Sequence, residues 1–111
     1  MDHLVVTVGG QKGGTGKSTV AQGIAVEAAK AGQLVLLADL DAKQASSSEW
    51  AKRRAIAQIR PRIDARLTNA RQVWELAPLC NLLVIDTPGQ ADLSTLELGQ
   101  RSDLLVLTTG T

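Results

Sequence analysis

An apolar run, Leu4-Val5-Val6-Thr7-Val8, passes directly into the stretch Gly9-Gly10-Gln11-Lys12-Gly13-Gly14-Thr15-Gly16-Lys17-Ser18-Thr19, and a helical pattern leaves it from Lys17 to about Ala31. Strand, glycine-rich turn and helix N-terminus in that order form a cradle for phosphate. Backbone N–H groups and the positive end of the helix dipole meet there, and the glycines let an anion approach the main chain. A lysine and a hydroxyl follow where a nucleotide triphosphate and its magnesium need them. Gly13, Gly14, Thr15 and Gly16 would wrap a β-phosphate, and Lys17 would extend across the β- and γ-phosphates. Ser18 would ligate Mg²⁺, and Thr19 would add a hydroxyl toward the α-phosphate. The competing reading is a glycine-rich turn that merely joins a strand to a helix.

The rest of the chain fits a parallel α/β fold around this stretch. Gly32 stands where a glycine ends a helix. Leu34 to Ala38 and Leu82 to Ile85 are continuous apolar runs, as in strands covered on both faces. The first stops at Asp39-Leu40-Asp41, the second at Asp86-Thr87-Pro88-Gly89. Ala45 to about Ile59 predicts a second helix, its start capped by the run Ser46-Ser47-Ser48. Ile63 to Leu67 alternates as a short strand near an edge. Thr68 or Asn69 can cap a short helix ending near Leu76-Ala77, a further helix spans about Leu93 to Leu98, and Leu104 to Leu107 is the last strand. This alternation implies a parallel sheet with flanking helices and right-handed crossovers. Ligands of such sheets bind beyond the carboxyl ends of the strands, where the glycine loop, Asp39, Asp41 and Asp86 all fall.

Composition narrows the function classes. In 111 residues there is room for one domain, so residues 1–111 read as a single nucleotide-binding unit. Phe and Tyr are absent and Trp50 and Trp74 are the only aromatics, which leaves Leu, Val, Ile and Ala to build the core. A net charge of +1 gives no global attraction to nucleic acid or membrane. The lone Cys80 cannot close an internal disulfide and favours a reducing compartment, and no apolar run reaches membrane-spanning length. A cytoplasmic, partly nucleoid-associated protein is the expectation. One segment is charged: Lys52, Arg53, Arg54, Arg60, Arg62, Arg66 and Arg71 are opposed only by Asp64, which suits non-specific DNA contact or, equally, a solvated face.

The loop departs from the strict phosphate-loop pattern, since Gln11 occupies its first glycine position. Lys12-Gly13-Gly14-Thr15-Gly16-Lys17-Ser18-Thr19 instead resembles the deviant Walker A motif of the ParA/MinD family of P-loop ATPases. Asp39-Leu40-Asp41 is similar to that family's switch I, Val84 to Gly89 to its Walker B and switch II segment, and Glu49-Trp50 with Arg53 and Arg54 to the helix after switch I in plasmid partition proteins. The resemblance implies ATP and Mg²⁺ as cofactors and a nucleotide-dependent homodimer. Lys12 would reach the nucleotide of the second subunit, Asp41 would orient the attacking water, Asp86 would hold Mg²⁺ and Gly89 would offer its N–H to the γ-phosphate. Lys12, Lys17 and Asp41 are thus the implied catalytic residues.

A partition adaptor protein and non-specific DNA are the implied partners, with segregation of a plasmid or chromosome as the role. Asp41 also reads as a strand-end turn carboxylate, and Asp39 is open between support and catalysis. Switch I lacks the family's Pro-Gln after the second aspartate, and the segment up to Glu49-Trp50 is one residue longer. Members of the family are longer than this chain, which reads as their N-terminal portion, with Leu104–Leu107 as an uncovered edge. The alternatives are a MinD-like positioning ATPase and a nucleotide-binding module without turnover.

Overall fold

Alternation along each strand sets the architecture. The computed structural model describes residues 3–10, 16–88 and 93–108. Within them run β1 (Leu4–Gly10), α1 (Lys17–Lys30), β2 (Val35–Asp39), α2 (Ser46–Ile56), β3 (Asp64–Leu67), a 3-10 segment (Val73–Leu79), β4 (Leu82–Asp86), α3 (Leu93–Arg101) and β5 (Leu104–Thr108). The strands form one sheet in the order β3-β2-β4-β1-β5, with every neighbouring pair parallel. This is the parallel sheet with flanking helices that the sequence predicts, and β3 lies at an edge as expected.

Successive side chains point to opposite faces, so each central strand feeds two cores. Val6, Val8, Val35, Leu37 and Val84 pack with Ala21 and Ala25 of α1 on one face. Val5, Leu36, Ala38, Leu83 and Ile85 pack with Val73, Cys80 and Leu98 on the other. Leu37, Leu83, Ile85, Val8 and Val84 are fully buried, each worth roughly 1.5–3 kcal/mol against exposure. Small residues on α1 keep it close to the sheet. Gly9 does the same for α3, because a Cβ there would lie 3.1 Å from Thr95 Cγ2.

Helix ends follow local chemistry, with two departures. Gly32 takes φ 87°, and the N–H groups of Gly32 and Gln33 bond back to Ala29 and Ala28, closing α1 as its glycine predicts. The α2 helix stops at Ile56, not near Ile59, because Gln58 adopts φ 56° and performs the same closure without a glycine. The serine run does not cap α2: Ala45 is the N-cap, at φ 48°, and makes no side-chain capping bond. The segment after β3 is a 3-10 turn with Pro78 inside it, entered through Asn69, whose side-chain oxygen accepts the N–H groups of Arg71 and Gln72 at 3.0 and 2.8 Å.

Candidate functional site

Strands β2 and β4 end level with one another, and β1 runs two residues past them. In the sheet register Val8 lies beside Asp86, and Asp86 beside Asp39. The chain leaves each strand at this edge, from β1 toward the glycine loop and α1, from β2 toward Leu40-Asp41, and from β4 toward Thr87-Pro88. The α1 helix begins here with Gly16 in the left-handed region at φ 78°, with no side-chain cap and no acidic residue in its first turn. Its positive end is therefore not neutralised by its own sequence, which is the condition for an anion site.

Lys17, the first residue of α1, turns its side chain back into the sheet edge. Its Nζ donates to Asp86 Oδ1 at 2.8 Å and to the carbonyl of Thr87. The two charged side chains are 7% and 1% exposed, so this is a buried ion pair. Thr87 is itself fixed, its hydroxyl donating to the Val8 carbonyl at 2.9 Å. The second oxygen of Asp86 accepts the Ser47 hydroxyl at 2.6 Å, and Gln22 Nε2 donates to that hydroxyl at 3.2 Å. Three elements, β4, α1 and α2, thus meet at one carboxylate.

Asp39 and Asp41 divide differently. Asp39 is fully buried, with Oδ1 accepting the N–H of Asp41 at 3.0 Å and Oδ2 accepting that of Ser48 at 2.9 Å. It satisfies an otherwise orphaned N–H in the first turn of α2, from a strand end rather than from the N-cap position. Asp41 is half-buried at the mouth of the edge, where its carboxylate accepts the Gln44 N–H at 3.2 Å and its carbonyl accepts that of Ala45 at 2.7 Å.

Of the residues singled out from sequence, Lys17 and Asp86 are brought into contact. Ser18 is half-buried in the first turn of α1, Thr19 is exposed beside it, and Gly16 precedes both. Asp41 stands at the same sheet edge, on the turn that follows β2. Gln11, Lys12, Gly13, Gly14, Thr15 and Gly89 lie outside the described residues. Ser47 and Gln22 were not foreseen; a serine at a helix start reads first as a cap, and nothing one-dimensional points Ser47 at Asp86.

The donor set suits a hard divalent cation only in company. Asp86 and Ser18 offer one carboxylate and one hydroxyl, the oxygen ligands Mg²⁺ takes alongside phosphate and water. Among the described residues no group of three or more His, Cys, Asp or Glu could hold a metal on its own. Outside the site, burial pushes the Cys80 thiol up, and hydrogen bonding to Asp64 raises the exposed Arg66 guanidinium further. Part of the basic segment is already engaged. Arg54 lies 5.0 Å from the Trp50 ring centroid, Arg66 pairs with Asp64 at 3.2 Å and Lys52 with Glu49 at 3.6 Å, while Arg53, Arg60, Arg62 and Arg71 are exposed.

A parallel sheet whose β1 strand is followed in sequence by a glycine-rich stretch and then a lysine-bearing helix defines a P-loop NTPase fold. A family model described as ATPase MipZ matches residues 3–79, more than half of the chain, and the chain belongs to this family, within the ParA/MinD group of ATPases. No curated protein sequence matches. Among solved structures, a plasmid partition protein from Borrelia burgdorferi superposes with a TM-score of 0.69 at 17% identity, over 96% of this chain and 65% of that one. The septum site-determining protein MinD from Pyrococcus horikoshii OT3, complexed with Mg-ADP, gives 0.68 at 19% identity, over 98% and 58%. A ParA family ATPase from Chlorobium tepidum TLS gives 0.62 at 16%, over 96% and 60%. The chain therefore spans about three-fifths of the length of these relatives.

Proposed function

We propose that this chain is the nucleotide-binding portion of a partition-type ATPase: MgATP is bound, two copies associate around it, the dimer holds DNA without reading sequence, and hydrolysis releases it. The observation that carries this reading is the buried Lys17–Asp86 pair at the N-terminus of α1, in a chain from an ATPase family. An ammonium held by a carboxylate at an uncapped helix start is poised to exchange that carboxylate for phosphate oxygens. In this reading Gly13, Gly14, Thr15 and Gly16 cradle the phosphates, Lys17 spans β and γ, Thr19 contacts α, and Gly89 touches γ. Ser18 and Asp86 would hold Mg²⁺, which when bound neutralises charge on the transferred phosphoryl group. Lys12 would reach the partner subunit's nucleotide and Asp41 would orient water. The exposed arginines 53, 60, 62 and 71 supply cationic surface for phosphate backbones, and a partition adaptor would stimulate turnover.

ATP turnover with and without DNA, in wild type and Lys12→Ala, tests the proposal. DNA-stimulated turnover that Lys12→Ala abolishes is expected, whereas no binding at millimolar MgATP refutes the assignment. A second reading, binding without turnover, is favoured by Asp41, whose carboxylate accepts the Gln44 N–H within the longer switch I turn. Tight binding with no hydrolysis would select it.

A further inference from the structure

We infer that Ser47, backed by Gln22, is the positioning residue that fixes Asp86 as a one-oxygen metal ligand, holding Oδ2 in place while nucleotide draws Lys17 from Oδ1. The inference rests on the nucleotide reading above and extends it to residues outside every motif in the chain. The direction of the hydrogen bonds is fixed by chemistry. An ionised carboxylate only accepts, so the Ser47 hydroxyl donates its single proton to Asp86 Oδ2 at 2.6 Å, and the Gln22 amide donates to Ser47 at 3.2 Å. Ser47 is 0% exposed, and water does not compete for it.

The two oxygens of Asp86 therefore differ in kind. Oδ2 is held by a neutral hydroxyl on α2, which an incoming phosphate does not attract. Oδ1 is held by the Lys17 ammonium at 2.8 Å, which it does. Nucleotide binding draws Lys17 away and frees Oδ1 alone, while Ser47 keeps the carboxylate in its rotamer. Without nucleotide the ammonium occupies the position from which Asp86 would serve a cation.

The test measures the affinity of full-length protein for a fluorescent ADP analogue in EDTA and in Mg²⁺. For Ser47→Ala, the Mg²⁺-dependent gain is expected to fall roughly tenfold or more, with the EDTA affinity within about twofold of wild type. Gln22→Ala, at a half-buried position that does not threaten folding, should lose a few-fold of the same gain. An undiminished Mg²⁺ gain in Ser47→Ala overturns the inference and leaves the nucleotide reading intact. Equal losses in EDTA and Mg²⁺ overturn it in favour of a purely structural role. Failure of wild type to bind the analogue under either condition overturns both.

Discussion

Asp86 and Lys17 neutralise each other where water hardly reaches, so removing one partner strands the other. Breaking a buried pair from one side costs about 3–5 kcal/mol, while removing both charges together is far milder. Lys17→Ala is expected to lower stability in urea by about 3 kcal/mol, and adding Asp86→Ala to recover much of the loss. Independent, additive losses would mean that the pair is not the unit that stabilises this edge. Cys80 supplies a second residue-scale prediction. Its thiol is 1% exposed and pushed up from the ordinary 9.0, first by burial. The native state thus favours the neutral thiol. Stability is full below pH 9.0 and declines as pH rises from there through the raised native value, because the unfolded chain ionises first. Alkaline unfolding curves should show this decline in wild type and a smaller one in Cys80→Ala.

The α2 helix is closed at both ends by non-glycine residues in the left-handed region, Ala45 at φ 48° and Gln58 at φ 56°. That region disfavours L-residues, and glycine adopts it without the Cβ clash, at some cost in unfolded-chain entropy. Gln58→Gly, remote from the sheet edge, is expected to stabilise by about 0.5–1 kcal/mol, raising Tm by a few degrees. Ala45→Gly should do the same. A fall in Tm for Gln58→Gly would show that its side chain contributes more than its backbone costs. These ends also mark where sequence reading stops. The central strands β1, β2 and β4 were legible to within two residues, because runs such as Leu82 to Ile85 are buried on both faces and admit no other placement. The site was legible in part for the same reason: strands that begin and end together bring Asp39 and Asp86 side by side. The start of α2 at Ser46 falls within one residue of the expected Ala45, but what satisfies its first turn was not legible, because the Ser48 N–H is taken by Asp39, nine residues upstream and on another element. Ser47 reads as a cap in the sequence alone because its partner Asp86 is 39 residues away in the chain.

At the scale of the molecule, the two edges of the sheet differ. The β3 edge is four residues long and carries Asp64 and Arg66, charges of the kind that discourage pairing with another chain. The β5 edge reads Leu104-Leu105-Val106-Leu107-Thr108, without a charge or a proline, and Leu104 and Leu107 are 55% and 63% exposed. Leu93 and Leu96 of α3, the helix that leads into this strand, are also exposed. Among the described residues no strand pairs with the outer side of β5, and the chain spans only about three-fifths of its structural relatives. An apolar, uncharged edge of this kind templates strand addition. The 111-residue chain is therefore expected to associate without nucleotide, its scattering mass rising between micromolar and millimolar concentration. Leu107→Lys places a charge on an exposed position of that edge and should suppress the rise while leaving Tm nearly unchanged. A nucleotide-driven interface at the strand-end face does not form without nucleotide, so light scattering of the two proteins in its absence reads edge pairing alone. A wild-type chain that stays monomeric across that range refutes the edge as an association surface.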